Sequence, residues 1–129
     1  MTTATPTAIP TDAIAFKIID AAEWRDAKAA GAYAGSEVDL ADGYIHLSSQ
    51  AQLAETAAKH YAGRSGLMLL DVDLASLGEA IVWEPSRGGA LFPHIYGPLT
   101  VASVARERAL SVTADGVMVF EEASSGASA

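Results

Sequence analysis

The run Leu67-Met68-Leu69-Leu70-Asp71-Val72 constrains the fold more than any other stretch of this chain. It is the most apolar strand-length segment, preceded by Gly66 and followed by Asp73. A short apolar run bounded by turn residues reads as a strand covered on both faces. It is therefore placed at the centre of its sheet, and the other elements must be arranged around it.

Ala13 to Ile19 reads as a strand with Ile14, Phe16 and Ile18 on one face and Lys17 on the other. Asp20 and Glu23 resemble a capping box, so a helix is expected from Ala21 to about Ala30, stopped by Gly31. Gly35 to Asp42 reads as a polar loop closed by Asp42-Gly43. Tyr44 to Leu47 is a short strand. Ser49 and Gln52 form a second capping box, which opens a helix to about Tyr61. Ala75 to Gly78 reads as one helical turn, introduced by Asp73 and Ser76. Ala80 to Trp83 is a strand. Trp83 to Gly97 is expected to be mostly loop, with a brief strand at His94 to Tyr96. Pro98 to Val104 continues as a strand through Arg106 and Arg108, and Asp115-Gly116 turns it into Val117 to Phe120. Two helices in the N-terminal half and about six short strands make an α+β pattern.

A chain of 129 residues, half of them apolar, supports one domain with a proper core. Met1 to Thr11 is Thr, Ala and Pro with one Ile and no charge, so residues 1–12 read as a disordered tail, as do the Ala, Ser and Gly of residues 123–129. That leaves residues 13–122 as the domain. The net charge is −8, and the eight Lys and Arg residues are scattered. A nucleic-acid partner needs a basic patch to neutralise phosphates, and the charge argues against one. The absence of Cys excludes disulfides, thiolate metal sites and a Cys nucleophile. No Lys or Arg precedes Lys17, which does not fit a secretory signal, and no apolar run reaches bilayer length. A cytoplasmic protein without membrane contact is expected. His46, His60 and His94 show no local metal-ligand spacing, so no metal is expected. His60 instead suits the C-terminal dipole of its helix.

Two segments carry candidate chemistry. In Asp42-Gly43-Tyr44-Ile45-His46-Leu47-Ser48, strand alternation turns Ile45 and Leu47 one way and Tyr44, His46 and Ser48 the other. The helix start that follows favours an anionic group. That polar face is either a cleft wall or a solvated edge. In Trp83 to Gly97, Arg87 could offer a forked guanidinium to a phosphate, and Gly88 and Gly89 permit close backbone approach. His94 and Tyr96 share a face if extended. This segment is either a site wall or a surface loop anchored by aromatics. Glu84 is its one acid and the only carboxylate singled out for a catalytic or orienting role. The candidate catalytic residues are Glu84 and His94. The candidate ligand-binding residues are Tyr44, His46, Ser48, Arg87 and Tyr96.

Phe16-Lys17-Ile18, Trp24, Asp42 to Ser48, Trp83-Glu84 and Phe92 to Gly97 together resemble the small bacterial DUF952 family over about Ala15 to Val119. The resemblance implies an ADP-ribosyltransferase-like split sheet with a dinucleotide cleft. It matches His46-Leu47-Ser48 to a first motif whose His holds a ribose of NAD, with Leu47 standing where transferases carry Gly. It implies NAD as a candidate cofactor, a small-molecule partner of the nucleotide type, and an ADP-ribosyl- or phosphotransferase-like activity. The alternative is a metabolite-binding or protein-interaction domain that keeps the cleft without the chemistry. Oligomeric state stays open.

Overall fold

The computed structural model describes residues 13–85 and 90–120. Its core is a four-stranded antiparallel sheet in the order β1 (Ile14–Asp20), β4 (Leu67–Asp73), β8 (Val104–Val112), β9 (Met118–Phe120). The apolar run is β4, and it lies inside the sheet between β1 and β8. Both of its faces are covered. Leu67 and Leu69 join Phe16, Ile18, Leu110 and Val112 beneath helix α3 (Gln50–His60), which contributes Leu53 and Ala57. Leu70 and Val72 join Ala15 and Ile19 beneath helix α1 (Ala21–Ala30), which contributes Trp24 and Ala27.

A second sheet builds the rest. Strand β3 (Ile45–His46) pairs with β6 (Leu91–Ile95), and β6 pairs with β5 (Ile81–Pro85), all antiparallel. The small pair β2 (Ala32–Tyr33) and β7 (Leu99–Thr100) closes the end of the core. The two larger sheets meet where Phe16 and Ser48 exchange backbone hydrogen bonds of 2.8 and 2.9 Å. Leu47 donates to the carbonyl of Pro93 at 3.0 Å. The segment after β3 therefore fastens one sheet to the other.

Three expectations need correction. First, Gly35 to Asp42 is not simply loop. Glu37–Asp42 forms a short helix, α2, so the described residues hold three α-helices. Ser36 caps it, with the Ser36 hydroxyl accepting from the Asp39 N–H at 3.1 Å and the Asp39 carboxylate accepting from the Ser36 N–H at 3.0 Å. The usual Glu or Gln of a capping box is replaced by Asp, which hid the pattern. Second, among the described residues of the Trp83 to Gly97 segment, most are strand: Trp83 to Pro85 belong to β5, and Leu91 to Ile95 form β6. Pairing of β5 with β6 recruits Leu91 to Ile95, a stretch whose proline and aromatics break any clean alternation. Third, Pro98 to Val104 does not run on as a strand. A 3-10 turn at Val101–Ser103 separates β7 from β8.

Smaller differences follow local competition. Asp20 sits at the α1 N-cap without a side-chain capping bond, because its carboxylate pairs with Arg64 at 2.7 Å. The Ser49 and Gln52 box does form, and Gln52 also donates to the Leu91 carbonyl at 2.7 Å. Asp73 caps the 3-10 turn Leu74–Ser76. No helix among the described residues is long and apolar enough to cross a membrane.

Leu69 is fully buried in the central strand. Leu69→Ala is expected to lower unfolding free energy by about 2–5 kcal/mol, through lost transfer energy and a residual cavity. Urea denaturation followed by circular dichroism checks it.

Candidate functional site

The three-stranded sheet sorts its side chains by alternation. Ile45, Ile95 and Ile81 lie in register and face the core. His46 lies opposite His94, and His94 opposite Val82, on the other face. Two residues along each strand, Tyr44, Tyr96 and Glu84 share that face. The result is a compact cluster of rings. Tyr44 stacks on His94 with centroids 4.1 Å apart and planes at 20°. Tyr44 also meets His46 at 4.8 Å and Tyr96 at 5.2 Å. The two imidazole centroids are 5.4 Å apart.

Each imidazole is held through Nδ1 by a carboxylate. His94 Nδ1 lies 2.6 Å from Glu84 Oε1. Tyr96 donates its hydroxyl to the same carboxylate at 2.8 and 3.0 Å. These bonds, from His94 first and Tyr96 second, hold the Glu84 carboxyl below its ordinary range. The same contact pushes the Tyr96 phenol up. His46 Nδ1 lies 2.6 Å from Asp39 Oδ1. Distances this short are those of charge-assisted bonds. A carboxylate on Nδ1 orients the ring and directs Nε2 away from it.

Asp39 is itself deeply buried, with a side chain 2% exposed. Its Oδ1 also accepts from the His46 N–H at 3.2 Å. Its Oδ2 accepts from Lys17 Nζ and from the Ser36 N–H, both at 3.0 Å. Burial alone would raise the Asp39 carboxyl. The Lys17 ammonium and the donated bonds from Ser36, His46 and Lys17 outweigh it and hold the group below 3.8. On the other side of His46, Asp42 Oδ2 approaches Nε2 to 2.9 Å as an ion-pair partner.

The structure thus brings together Tyr44, His46, Glu84, His94 and Tyr96 among the sequence candidates. Ser48 does not join them. Its buried hydroxyl pairs with Thr56 of α3 at 2.8 Å, because the chain leaves β3 to meet Phe16 of β1. Arg87 lies outside the described residues. Glu84 is not the only acid at the cluster, since Asp39 and Asp42 flank His46. Sequence reading missed Lys17, Asp39 and Asp42. The available signals were a cation inside an otherwise apolar strand and an Asp three residues after Ser36. Among the described residues no group of three or more His, Asp and Glu could hold a metal ion.

The family described as "Protein of unknown function (DUF952)" matches residues 18–107. The crystal structure of protein CC0527 from Caulobacter crescentus is similar to this chain at 54% identity and a TM-score of 0.78, covering 82% of this chain and 93% of that one. The solution NMR structure of CC0527 aligns at 54% identity with a TM-score of 0.73, covering 82% and 91% of the two chains. No curated protein matches the chain.

Because the Asp39 carboxyl is held low in the folded state, its stabilising effect is complete above the ordinary carboxyl value of 3.8. It is lost as pH falls through the depressed folded value. Asp39→Asn is expected to flatten that part of the acid limb in pH-dependent urea unfolding. Asp39→Ala, which strands the buried Lys17 ammonium, is expected to cost about 3–5 kcal/mol near neutral pH.

Proposed function

The chain belongs to the DUF952 family, and on that premise we propose that it is a cytoplasmic protein whose ring cluster binds NAD or a related phosphorylated nucleotide. The proposed setting is an ADP-ribosyltransferase-like split sheet. The observation that carries the reading is the pair of imidazoles, 5.4 Å apart, each oriented by a carboxylate on Nδ1. Orienting a ring through one nitrogen is how a protein aims the other at a ligand. The resemblance assigns His46 to a ribose hydroxyl, and the geometry suits that role.

The phenols of Tyr44 and Tyr96 supply π faces for a planar ring. Glu84 and Asp42 make the surroundings acidic, which suits a cationic ring such as the nicotinamide of NAD better than a neutral one. In this reading His94 is the proton-handling group and Glu84 holds its tautomer. The phosphates would require a cation, and Arg87 is the candidate that the sequence offers.

A second reading is a binding domain without catalysis. One feature favours it: both Glu84 oxygens are engaged, by His94 and by Tyr96. A carboxylate committed in this way positions neighbours more readily than it attacks or deprotonates a substrate.

Calorimetric titration with NAD, ADP-ribose and nicotinamide mononucleotide tests the proposal. Saturable heat is expected for at least NAD. Tyr44→Ala, confirmed folded by circular dichroism, is expected to weaken it by roughly three- to tenfold through loss of ring stacking. Absence of heat with every compound, in folded protein, overturns the nucleotide reading. Binding without turnover of NAD supports the non-catalytic form.

A further inference from the structure

The two carboxylates on His46 are not equivalent. Asp39 is buried, belongs to a reciprocal cap and accepts bonds from Ser36, Lys17 and His46. It is a permanent fixture that sets the ring's position. Asp42 has a side chain 46% exposed and sits at the last residue of α2. Among the described residues its polar partner is His46 Nε2, 2.9 Å from Oδ2. The residue after it, Gly43, has φ +91, so the chain reverses there and leaves the Asp42 side chain at the surface.

We propose that Asp42 is a built-in stand-in for the ligand at His46: its carboxylate oxygen occupies the position that an acceptor oxygen of the ligand takes on Nε2 when the site is loaded. The proposal rests on the reading of His46 as a ligand contact. Its physical basis is the asymmetry just described. A carboxylate oxygen faces each ring nitrogen of His46, a buried one on Nδ1 and an exposed one on Nε2. Nδ1 cannot be released without uncovering a buried acid and its buried lysine. Nε2 can be released at little cost, because an exposed ion pair contributes little and water replaces it readily.

The ligand chemistry follows from the stand-in. The group that meets Nε2 is an oxygen acceptor, either a phosphate oxygen or a sugar hydroxyl oxygen. It must displace Asp42 or share the donor with it. Occupancy by Asp42 also lowers the fraction of molecules ready to bind, so apparent affinity falls by that fraction. Asp42 then acts as a specificity filter. Ligands with a weak acceptor at this point lose to the protein's own carboxylate. Asp42 and His46 are four residues apart, on α2 and β3, so exchange needs only a rotation of an exposed side chain.

The test follows the His46 ring nitrogens by NMR in the full chain while inorganic phosphate or ribose 5-phosphate is added. In Asp42→Ala, at least one probe is expected to shift the Nε2 resonance at roughly two- to fivefold lower concentration than in the unaltered protein. Asp42→Asn keeps the side chain's size and is expected to move in the same direction, which guards against an effect on folding. A response to both probes assigns a phosphate oxygen, and a response to ribose 5-phosphate alone assigns a hydroxyl. Unchanged midpoints in both variants, or shifts that map away from His46, overturn the stand-in. Failure of the nucleotide reading looks different. There, NAD gives no heat with any variant while the small probes still gain at His46. If NAD binds but Asp42→Ala gains nothing with any ligand, the stand-in fails and the nucleotide reading survives.

Discussion

The Asp39 carboxylate is the interaction on which the site depends. It lies in the interior and accepts from the backbone of Ser36, the ammonium of Lys17, and both the backbone and the ring of His46. Those donors come from β1, the start of α2, and β3. A buried carboxylate is tolerable only when its lone pairs are filled and its charge is met, and both conditions hold here. The arrangement leaves little room. At Gly35 a Cβ would stand 2.9 Å from the Asp39 Cβ, and the backbone there has φ +121, so glycine serves both the contact and the turn.

Lys17 explains why the acid is where it is. It projects from β1 on the face that carries Ala15 and Ile19, among buried apolar groups. A long cation in such a place needs a partner within reach of its ammonium, and α2 supplies one. The ion pair then ties α2 to the main sheet and brings His46, three residues past Gly43, into a fixed attitude. The second imidazole uses a simpler device. His94 is buried beside Tyr44, and Glu84 reaches it from the adjacent strand of the same sheet. The two His residues differ in their supports: one acid is sealed in the core and the other stays partly open to solvent.

Much of this was legible in the residue pattern. The apolar run Leu67 to Val72 is the inner strand, α1 and α3 start and stop near the expected residues, and Asp115-Gly116 lies between β8 and β9. Those features rest on local signals: periodicity, caps and turn residues. Alternation also put Tyr44 and His46 on one face, and His94 and Tyr96 on one face. It failed at Ser48, where the chain stops pairing with β6 and turns to Phe16. It failed again at α2, because a six-residue helix shows too little period to be seen and its cap uses an unusual acid. The pairing of β5 with β6 was legible only in part. Ala80 to Trp83 reads as a strand, but Leu91 to Pro93 looks like loop when read alone and gains its conformation from the pairing.

The sequence by itself determined an acidic, cysteine-free α+β chain with a central apolar strand, two helices and two polar aromatic segments. Each of these follows from interactions between residues close along the chain. Only the tertiary structure decided that Tyr44, His46, Glu84, His94 and Tyr96 form a single cluster, that Asp39 and Lys17 support it, and that Asp42 faces Nε2 of His46. Those outcomes depend on strand register and on pairings between residues tens of positions apart. Register is set by how whole faces bury against the core, and no local spacing encodes it.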